Sequence, residues 1–132
     1  MTALLDANAL IALVVDDHVH HGAVVRWWRE RTTSVATTPS TQGSLLRFLL
    51  REGFGAQAAL AVLGGVTRHP RHVFWPDAMP YGDVDLGPVA GHRMVTDAYL
   101  ASAARARGGV VVTLDRGLAA AFPDVSELLR PG

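Results

Sequence analysis

The sequence contains no cysteine and no lysine among its 132 residues, and its formal net charge is zero. The absence of cysteine excludes disulfides and thiolate metal sites. All twelve Lys/Arg positions are arginine, so a phosphate group must be bound by arginine, by backbone or by a helix N-terminus. The zero net charge gives no sign of strong non-specific binding to nucleic acid.

Long apolar segments are also missing. Asp6 interrupts the first apolar run, no basic region of a signal peptide precedes it, and no stretch approaches the ~20 apolar residues of a membrane-spanning helix. We therefore expect a cytoplasmic protein without a membrane segment. Because 49% of the residues are hydrophobic, we expect one globular domain over residues 1–132.

Strand-like and helix-like patterns alternate along the chain. Apolar and β-branched runs predict strands at 3–5, 34–37, 72–75 and 110–114, and an edge strand near Val125. Periodic apolar positions and helix-start signals predict helices at 8–15, 20–31, 39–51, 56–67, 95–107 and 117–122. This alternation predicts an α/β fold with a mostly parallel sheet of four to five short strands flanked by helices.

Two of the predicted strands end in aspartate. Asp6 follows the first strand, Asp115 follows the strand at 110–114, and Asp97 lies in the first turn of a helix after a long loop. Sites in open α/β sheets form outside the carboxyl ends of the strands, so these three side chains can meet at one edge. Clustered carboxylates repel one another unless a cation such as Mg²⁺ or Mn²⁺ neutralises them. For one aspartate taken alone, a role at a strand end or as a helix cap is the favoured interpretation.

A series of short motifs carries more information than the spacing of the aspartates. The motifs are LLDANAL at 4–10, TTPSTQGSLLRFL at 37–49, FWPD at 74–77, GHRMVTDAYLA at 91–101 and VTLDRGL at 112–118. In order and spacing they resemble the PIN-domain family, and within it the VapC-type toxins of toxin–antitoxin pairs. The resemblance covers roughly residues 4–120 and is nearest to actinobacterial members.

The resemblance implies a parallel sheet flanked by helices and a metal-dependent endoribonuclease that cuts structured RNA, either tRNA or rRNA. Asp6, Asp97 and Asp115 match the catalytic, metal-binding positions of the family, with Mg²⁺ or Mn²⁺ as the cofactor. Asn8 and Thr113 match polar residues that support the first and last of these aspartates. Members of the family often form homodimers and are blocked by a VapB-like antitoxin that inserts a segment near the acidic site.

One position departs from the family pattern. Gln42 stands where PIN domains usually carry glutamate, and an amide oxygen can ligate a cation but brings no charge. We therefore expect weaker metal affinity and a single tightly held ion. Two hypotheses remain: a working site in which Gln42 is a neutral ligand or substrate contact, or a degenerate domain that binds RNA or its antitoxin without cleavage. Asp77, after the third strand, either replaces the missing charge or is a loop residue.

Four arginines are candidates for contacts with RNA phosphates. Arg47 and Arg51 lie at i, i+4 spacing on the helix that carries Gln42, and either RNA or an acidic antitoxin segment could bind there. Arg93 and Arg116 flank the acidic positions. A solvated surface explains these positions as well.

Histidine and tryptophan clusters allow two interpretations each. His18, His20 and His21 form either a loose Zn²⁺ site or a polar turn between helices, and the spacing favours the turn. Trp27 and Trp28 either stack on bases or belong to the core, and their helical spacing favours the core.

Two phosphotransfer classes with similar sheets fit poorly. Receiver domains need a lysine near their acidic pocket, and this sequence has none. Haloacid-dehalogenase-type phosphatases need Asp-x-Asp after the first strand, and the sequence there reads Asp6-Ala7-Asn8.

Overall fold

A sheet of five parallel strands forms the centre of the computed structural model, which describes residues 1–130. The strands are β1 (Ala3–Leu5), β2 (Val35–Thr37), β3 (His72–Phe74), β4 (Val110–Thr113) and β5 (Ser126–Leu128). Their order across the sheet is β3-β2-β1-β4-β5, and every neighbouring pair is parallel. The predicted α/β fold is confirmed, including the edge strand that follows Val125.

Six α-helices connect the strands. They are α1 (Ala7–Val14), α2 (His21–Glu30), α3 (Pro39–Arg51), α4 (Ala56–Thr67), α5 (Val95–Ala106) and α6 (Arg116–Ala121). Each begins and ends within one residue of its predicted position. The loop between β3 and α5 contains two single 3₁₀ turns, Tyr81–Asp83 and His92–Met94. Within residues 1–130, no helix has both the length and the apolarity needed to cross a membrane.

Successive strand residues point to opposite faces of the sheet, and both faces are buried along β1, β2 and most of β4. Leu5 and Val112 belong to a cluster that includes Leu10 of α1 and Leu45 of α3. The residues before them, Leu4 and Val111, belong to a second cluster that includes Leu100 of α5, Leu118 of α6 and Phe122. Helices therefore cover the two faces, as expected for a parallel sheet.

Hydrogen-bonding side chains start three helices at the carboxyl edge of the sheet. Asp6 accepts a hydrogen bond from the backbone of Ala9 and caps α1, and Asp115 caps α6. Thr38 caps α3 in a reciprocal box with Thr41, and Pro39 occupies the first turn. The chain thus turns from strand to helix at the same edge after β1, β2 and β4.

The strand order places a switch point next to β1. From β1 the chain builds β2 and β3 on one side, and later β4 and β5 on the other. In such sheets ligands bind outside the carboxyl ends of the strands, where the order reverses. Asp6 after β1 and Asp115 after β4 both lie at this place.

Candidate active site

Asp6 is buried at the end of β1, with a side chain only 5% exposed. Its Oδ1 accepts a hydrogen bond from the backbone N–H of Ala9 at 2.8 Å, and its Oδ2 accepts a short one from the hydroxyl of Thr113. Burial raises the pKa of Asp6 above its ordinary value. The two hydrogen bonds oppose this shift, and the charge of Asp115 adds to it.

Thr113 links the first and last aspartates of the site. It is the fully buried last residue of β4. Its Oγ1 donates to Asp6 and accepts a hydrogen bond from the backbone N–H of Asp115 at 2.9 Å. Because a hydroxyl has a single proton, these two bonds fix its orientation. Thr113 therefore ties the carboxylate of Asp6 to the backbone of Asp115, while the backbone pairing of β1 with β4 sets the register of the strands.

Asp97 lies half-buried in the first turn of α5. Burial, followed by repulsion from Asp115 and Asp6, raises the pKa of Asp97 to about 6. Its carboxyl group makes no hydrogen bond or ion pair with any residue between 1 and 130. The structure thus brings all three aspartates within electrostatic reach of one another, at the edge where the sequence predicted them.

The three carboxylates fit a hard divalent cation in donor chemistry and charge. The three carboxylates repel one another, and no described cationic side chain forms an ion pair with them. Mg²⁺ needs only one or two protein carboxylates in addition to water ligands. The side chains as they stand are not converged on one point, since no group of three His, Asp or Glu residues within 1–130 is arranged as a ligand set. Asp115 directs Oδ1 to the backbone N–H groups of Gly117 and Leu118.

Gln42 is held by a hydrogen-bonded chain of side chains. Its Nε2 donates to Oγ1 of Thr37 at 2.9 Å, and the same oxygen lies 2.7 Å from Nε2 of His72. The His72 ring is also bonded to the backbone of Thr67, and burial lowers the pKa of His72 while this bond opposes the shift. The amide oxygen of Gln42 has no partner within the described chain. Sequence reasoning missed Thr37 and His72, although both are polar residues on the adjacent strands β2 and β3.

Asn8 and Asp77 make no hydrogen bond to any of the three aspartates. The side chain of Asn8 is exposed in the first turn of α1 and has no hydrogen-bond partner within residues 1–130, so Asp6 is held by Thr113 and the α1 backbone instead. Asp77 accepts a hydrogen bond from Oγ of Ser40 at 2.9 Å. It is not among the charges that act on Asp6 or Asp97.

All four predicted phosphate-binding arginines are exposed. Arg47 and Arg51 lie on α3, and Arg47 donates to Oγ of Ser44 at 3.1 Å. Arg93 lies in the turn before α5, and Arg116 directly follows Asp115. None of the four forms an ion pair with an acidic residue between 1 and 130. Their accessibility suits a phosphate contact but does not test one.

The histidine cluster serves the turn between α1 and α2. Nδ1 of His18 accepts a hydrogen bond from the backbone N–H of His20 at 3.0 Å, and the His21 ring bonds to the carbonyl of Ala12 at 2.8 Å. The imidazoles therefore do not share a ligand geometry, in agreement with the polar-turn interpretation.

The two tryptophans belong to the folded interior. Trp27 is buried, and Trp28 is covered by the guanidinium of Arg71, 3.9 Å from the ring centroid, and by the edge of His69. Arg71 also donates to the carbonyls of Trp28 and Thr33. The core interpretation therefore holds for this pair.

Comparisons with known proteins agree with the fold and the motifs. Residues 3–122 match the PIN domain. Ribonuclease VapC29 of Mycobacterium tuberculosis is 54% identical over 129 residues, which cover 98% of this chain and 97% of that protein. Ribonuclease VapC39 of the same species is 40% identical, over 90% of this chain and 92% of its own length.

Two solved structures share the fold at low sequence identity. Mycobacterium tuberculosis VapC20, described as a toxin that cleaves the sarcin–ricin loop, superposes with a TM-score of 0.73 at 18% identity, covering 90% of this chain and 94% of that one. VapBC2 of Rickettsia felis, bound to a DNA fragment from its promoter, gives a TM-score of 0.67 at 16% identity over 98% and 100% of the two chains. The match over most of the chain and the high identity to VapC29 together show that the chain belongs to the PIN-domain family and, within it, to the VapC type.

Proposed function

We propose that the chain is a metal-dependent endoribonuclease that acts as the toxin of a type II toxin–antitoxin pair. The observation that carries the proposal is the proximity of Asp6, Asp97 and Asp115 at the switch point of the sheet, where burial, followed by repulsion from Asp115 and Asp6, raises the pKa of Asp97. Mutual repulsion of the three carboxylates destabilises the metal-free protein, and it favours the binding of a cation that neutralises them. The names of the relatives, Ribonuclease VapC29 and VapC39, support the same activity.

In this proposal the three aspartates would hold the metal ion, and Thr113 positions two of them. When bound, Mg²⁺ or Mn²⁺ would polarise the scissile phosphodiester and lower the pKa of an attacking water. Asp6, Asp97 and Asp115 would hold the ion, and Thr113 keeps Asp6 and the Asp115 backbone in register through its hydroxyl. No nucleophilic serine or cysteine is needed for this reaction.

Structured RNA is the proposed substrate, and a VapB-like antitoxin the proposed partner. VapC20, which shares the fold, is described as cleaving the sarcin–ricin loop, and this supports a tRNA or rRNA loop as the class of target. The Rickettsia felis structure is of VapBC2, which supports a paired antitoxin. We also propose a homodimer that works in the cytoplasm.

Binding without cleavage is the second candidate function. Gln42 brings no charge to the edge of the sheet, and its amide nitrogen is bonded to Thr37. The described side chains also do not form a ready ligand set. A domain of this kind would bind RNA or its antitoxin but would not cut.

Cleavage of a panel of tRNAs and rRNA fragments by the purified chain tests the first function against the second. The reactions contain Mg²⁺, Mn²⁺ or EDTA and compare the parent with Asp97→Asn and Gln42→Glu. Asp17→Asn is the matched control, because Asp17 is an exposed aspartate in the turn after α1. We expect cleavage that needs metal and Asp97 and is unchanged in the control.

The variants separate the two functions in one experiment. Cleavage by Gln42→Glu but not by the parent would establish the degenerate domain. Cleavage that persists in EDTA, or in Asp97→Asn at the rate of the parent, would show that the assigned carboxylates are not the catalytic site.

A further inference from the structure

A cavity of about 650 Å³ opens beside the acidic edge of the sheet. Its lining residues come from the turn before α2, from the end of β4 and the start of α6, and from β5 and the residues after it; they are His20, Leu114, Arg116, Leu128, Leu129 and Arg130. Leu114 and Arg116 are the two neighbours of Asp115 in the chain. The cavity therefore lies next to the turn that carries Asp115, although none of the three aspartates is among its described lining residues.

The lining combines an apolar wall with cationic groups. Three leucines supply the apolar surface, and none of the lining residues within 1–130 is acidic. Arg116 and Arg130 are exposed, and neither side chain forms an ion pair or hydrogen bond with another residue in the part of the chain that the structure describes. Two arginines near one another without an acidic partner favour an anionic ligand.

His20 adds a polar atom that lacks a partner. Its Nδ1 is shielded from water and makes no hydrogen bond within residues 1–130. Such an atom is unfavourable in the unliganded protein, because a buried polar group normally has a hydrogen-bond partner. Because Nδ1 is closed to water, it is also closed to a ligand in the cavity, and such a ligand would meet the accessible part of the His20 ring instead.

We infer that this cavity binds one nucleotide of the RNA, next to the phosphate that is cut. Its phosphate contacts Arg116 and Arg130, its base and ribose pack on the three leucines, and His20 hydrogen-bonds to the base or the ribose. The volume lies within the range of small-ligand sites. The inference rests on the proposed ribonuclease function, because it assigns the cavity to the substrate of that site.

An acidic peptide fits the same surface less well. Its carboxylates would pair with Arg116 and Arg130 but would leave the leucine wall uncovered, whereas a nucleotide presents an anion and a broad apolar face together. RNA must also bring its backbone to Asp115 for cleavage, and this places the neighbouring nucleotide at the cavity. These points favour the nucleotide over a segment of a partner protein.

Nucleotide binding can be measured without metal and without cleavage. The protein, labelled at leucine methyl groups and histidine rings, is titrated in EDTA with the four nucleoside 5′-monophosphates, ribose 5-phosphate, inorganic phosphate and a hexaglutamate peptide, and observed by NMR. We expect nucleotides to shift the signals of Leu114, Leu128, Leu129 and His20. Ribose 5-phosphate and phosphate should bind at least about fivefold more weakly, since they lack the base.

Variants identify the groups that bind. Arg130→Ala should weaken nucleotide binding by at least about fivefold, and His20→Ala should reduce the preference for nucleotides over ribose 5-phosphate. Arg29→Ala is the matched control, because Arg29 is an exposed arginine on α2 outside the lining, and its nucleotide affinity should equal that of the parent.

Two results would overturn the inference. One is an absence of nucleotide-dependent shifts at the cavity, and the other is binding of hexaglutamate at the cavity in preference to every nucleotide, which would assign it to a protein partner. Neither depends on cleavage. Cleavage of RNA by a protein whose cavity binds no nucleotide would remove this inference and leave the proposed function. Nucleotide binding at the cavity of a protein that never cleaves would leave the nucleotide site and remove the proposed reaction, and with it the assignment of the site to a cleaved RNA.

Discussion

Replacing Asp97 with asparagine should abolish cleavage and yet stabilise the metal-free protein. In the folded chain the carboxyl group is half-buried, has no hydrogen-bond partner within residues 1–130, and is repelled by Asp115 and Asp6. In the unfolded chain the carboxyl group is solvated and is not held close to Asp115 and Asp6, so these unfavourable contributions are absent. An amide keeps the shape of the side chain but carries no charge, so the folded state of Asp97→Asn should be free of this repulsion.

The raised pKa sets the size and the pH range of the effect. The pKa of Asp97 rises from 3.8 to about 6. At ~1.4 kcal/mol per unit the full shift corresponds to about 3 kcal/mol. Because the side chain is only half-buried, solvent screening reduces this to about 1–1.5 kcal/mol. Folding favours the protonated form, so stability is greatest below pH 4, falls as the pH rises through 6, and stays lower above it.

Thermal unfolding in EDTA, followed by circular dichroism between pH 4 and pH 7.5, measures the effect. At pH 7.5 the melting temperature of Asp97→Asn should exceed that of the parent by about 3–5 °C, and at pH 4 the two should agree. Asp17→Asn removes an exposed carboxylate and should move the melting temperature by less than about 2 °C. Added Mg²⁺ at ten times its Kd should stabilise the parent by ~1.4 kcal/mol and the variant far less. The difference in melting temperature between the two proteins at pH 7.5 should therefore disappear.

Two outcomes would refute this reasoning. If Asp97→Asn melts below the parent at pH 7.5 in EDTA, Asp97 makes a stabilising contact and is not an uncompensated charge. If the variant gains the same stability at pH 4 as at pH 7.5, the gain does not come from ionisation of the carboxyl group.

Substitutions at three further positions test other parts of the structure. Thr113→Val deletes the hydroxyl that bonds to Asp6 and should lower the metal-dependent cleavage rate about 10- to 100-fold. Thr113→Ser keeps a hydroxyl and should retain most of the cleavage rate. Equal rates for the two variants would contradict a positioning role for Thr113. Gln42→Glu adds a carboxylate and should lower the Kd for Mn²⁺ about tenfold by titration calorimetry, and an unchanged Kd would place Gln42 outside the metal site. Gly109→Ala puts a Cβ 2.7 Å from the carbonyl oxygen of Thr2. This substitution should lower the free energy of unfolding in urea by about 1–3 kcal/mol and leave the metal affinity unchanged. An unchanged free energy of unfolding would show that the backbone near Gly109 can shift to accommodate the methyl group.

Local patterns were sufficient to predict the elements of this fold. The β-branched run that forms β4 and the Thr38-Pro39 start of α3 act within a few residues, and both elements lie where the sequence placed them. The order of the strands is different, because it depends on how helices pack across the sheet. The sequence predicted a mostly parallel sheet, and only the structure shows which strands lie next to β1.

Contacts between distant residues account for what the sequence could not show. The hydrogen bond from Thr113 to Asp6 joins residues 107 positions apart. Arg71 reads as a surface arginine in a turn, yet its guanidinium lies over Trp28 and donates to two carbonyls of another segment. Neither contact leaves a periodic signal, since each depends on one side chain that reaches across the fold.

The three aspartates have different structural roles in the fold. Asp6 and Asp115 do cap helices, so a structural role accounts for both, and capping leaves each with oxygen lone pairs for another ligand. Asp97 caps nothing and bonds to nothing within residues 1–130, yet it is half-buried beside two like charges. A residue whose placement is unfavourable for folding and is not offset by local contacts is expected at functional sites. Asp97 is therefore the aspartate for which function explains the position better than stability does, and its substitution separates the two most clearly.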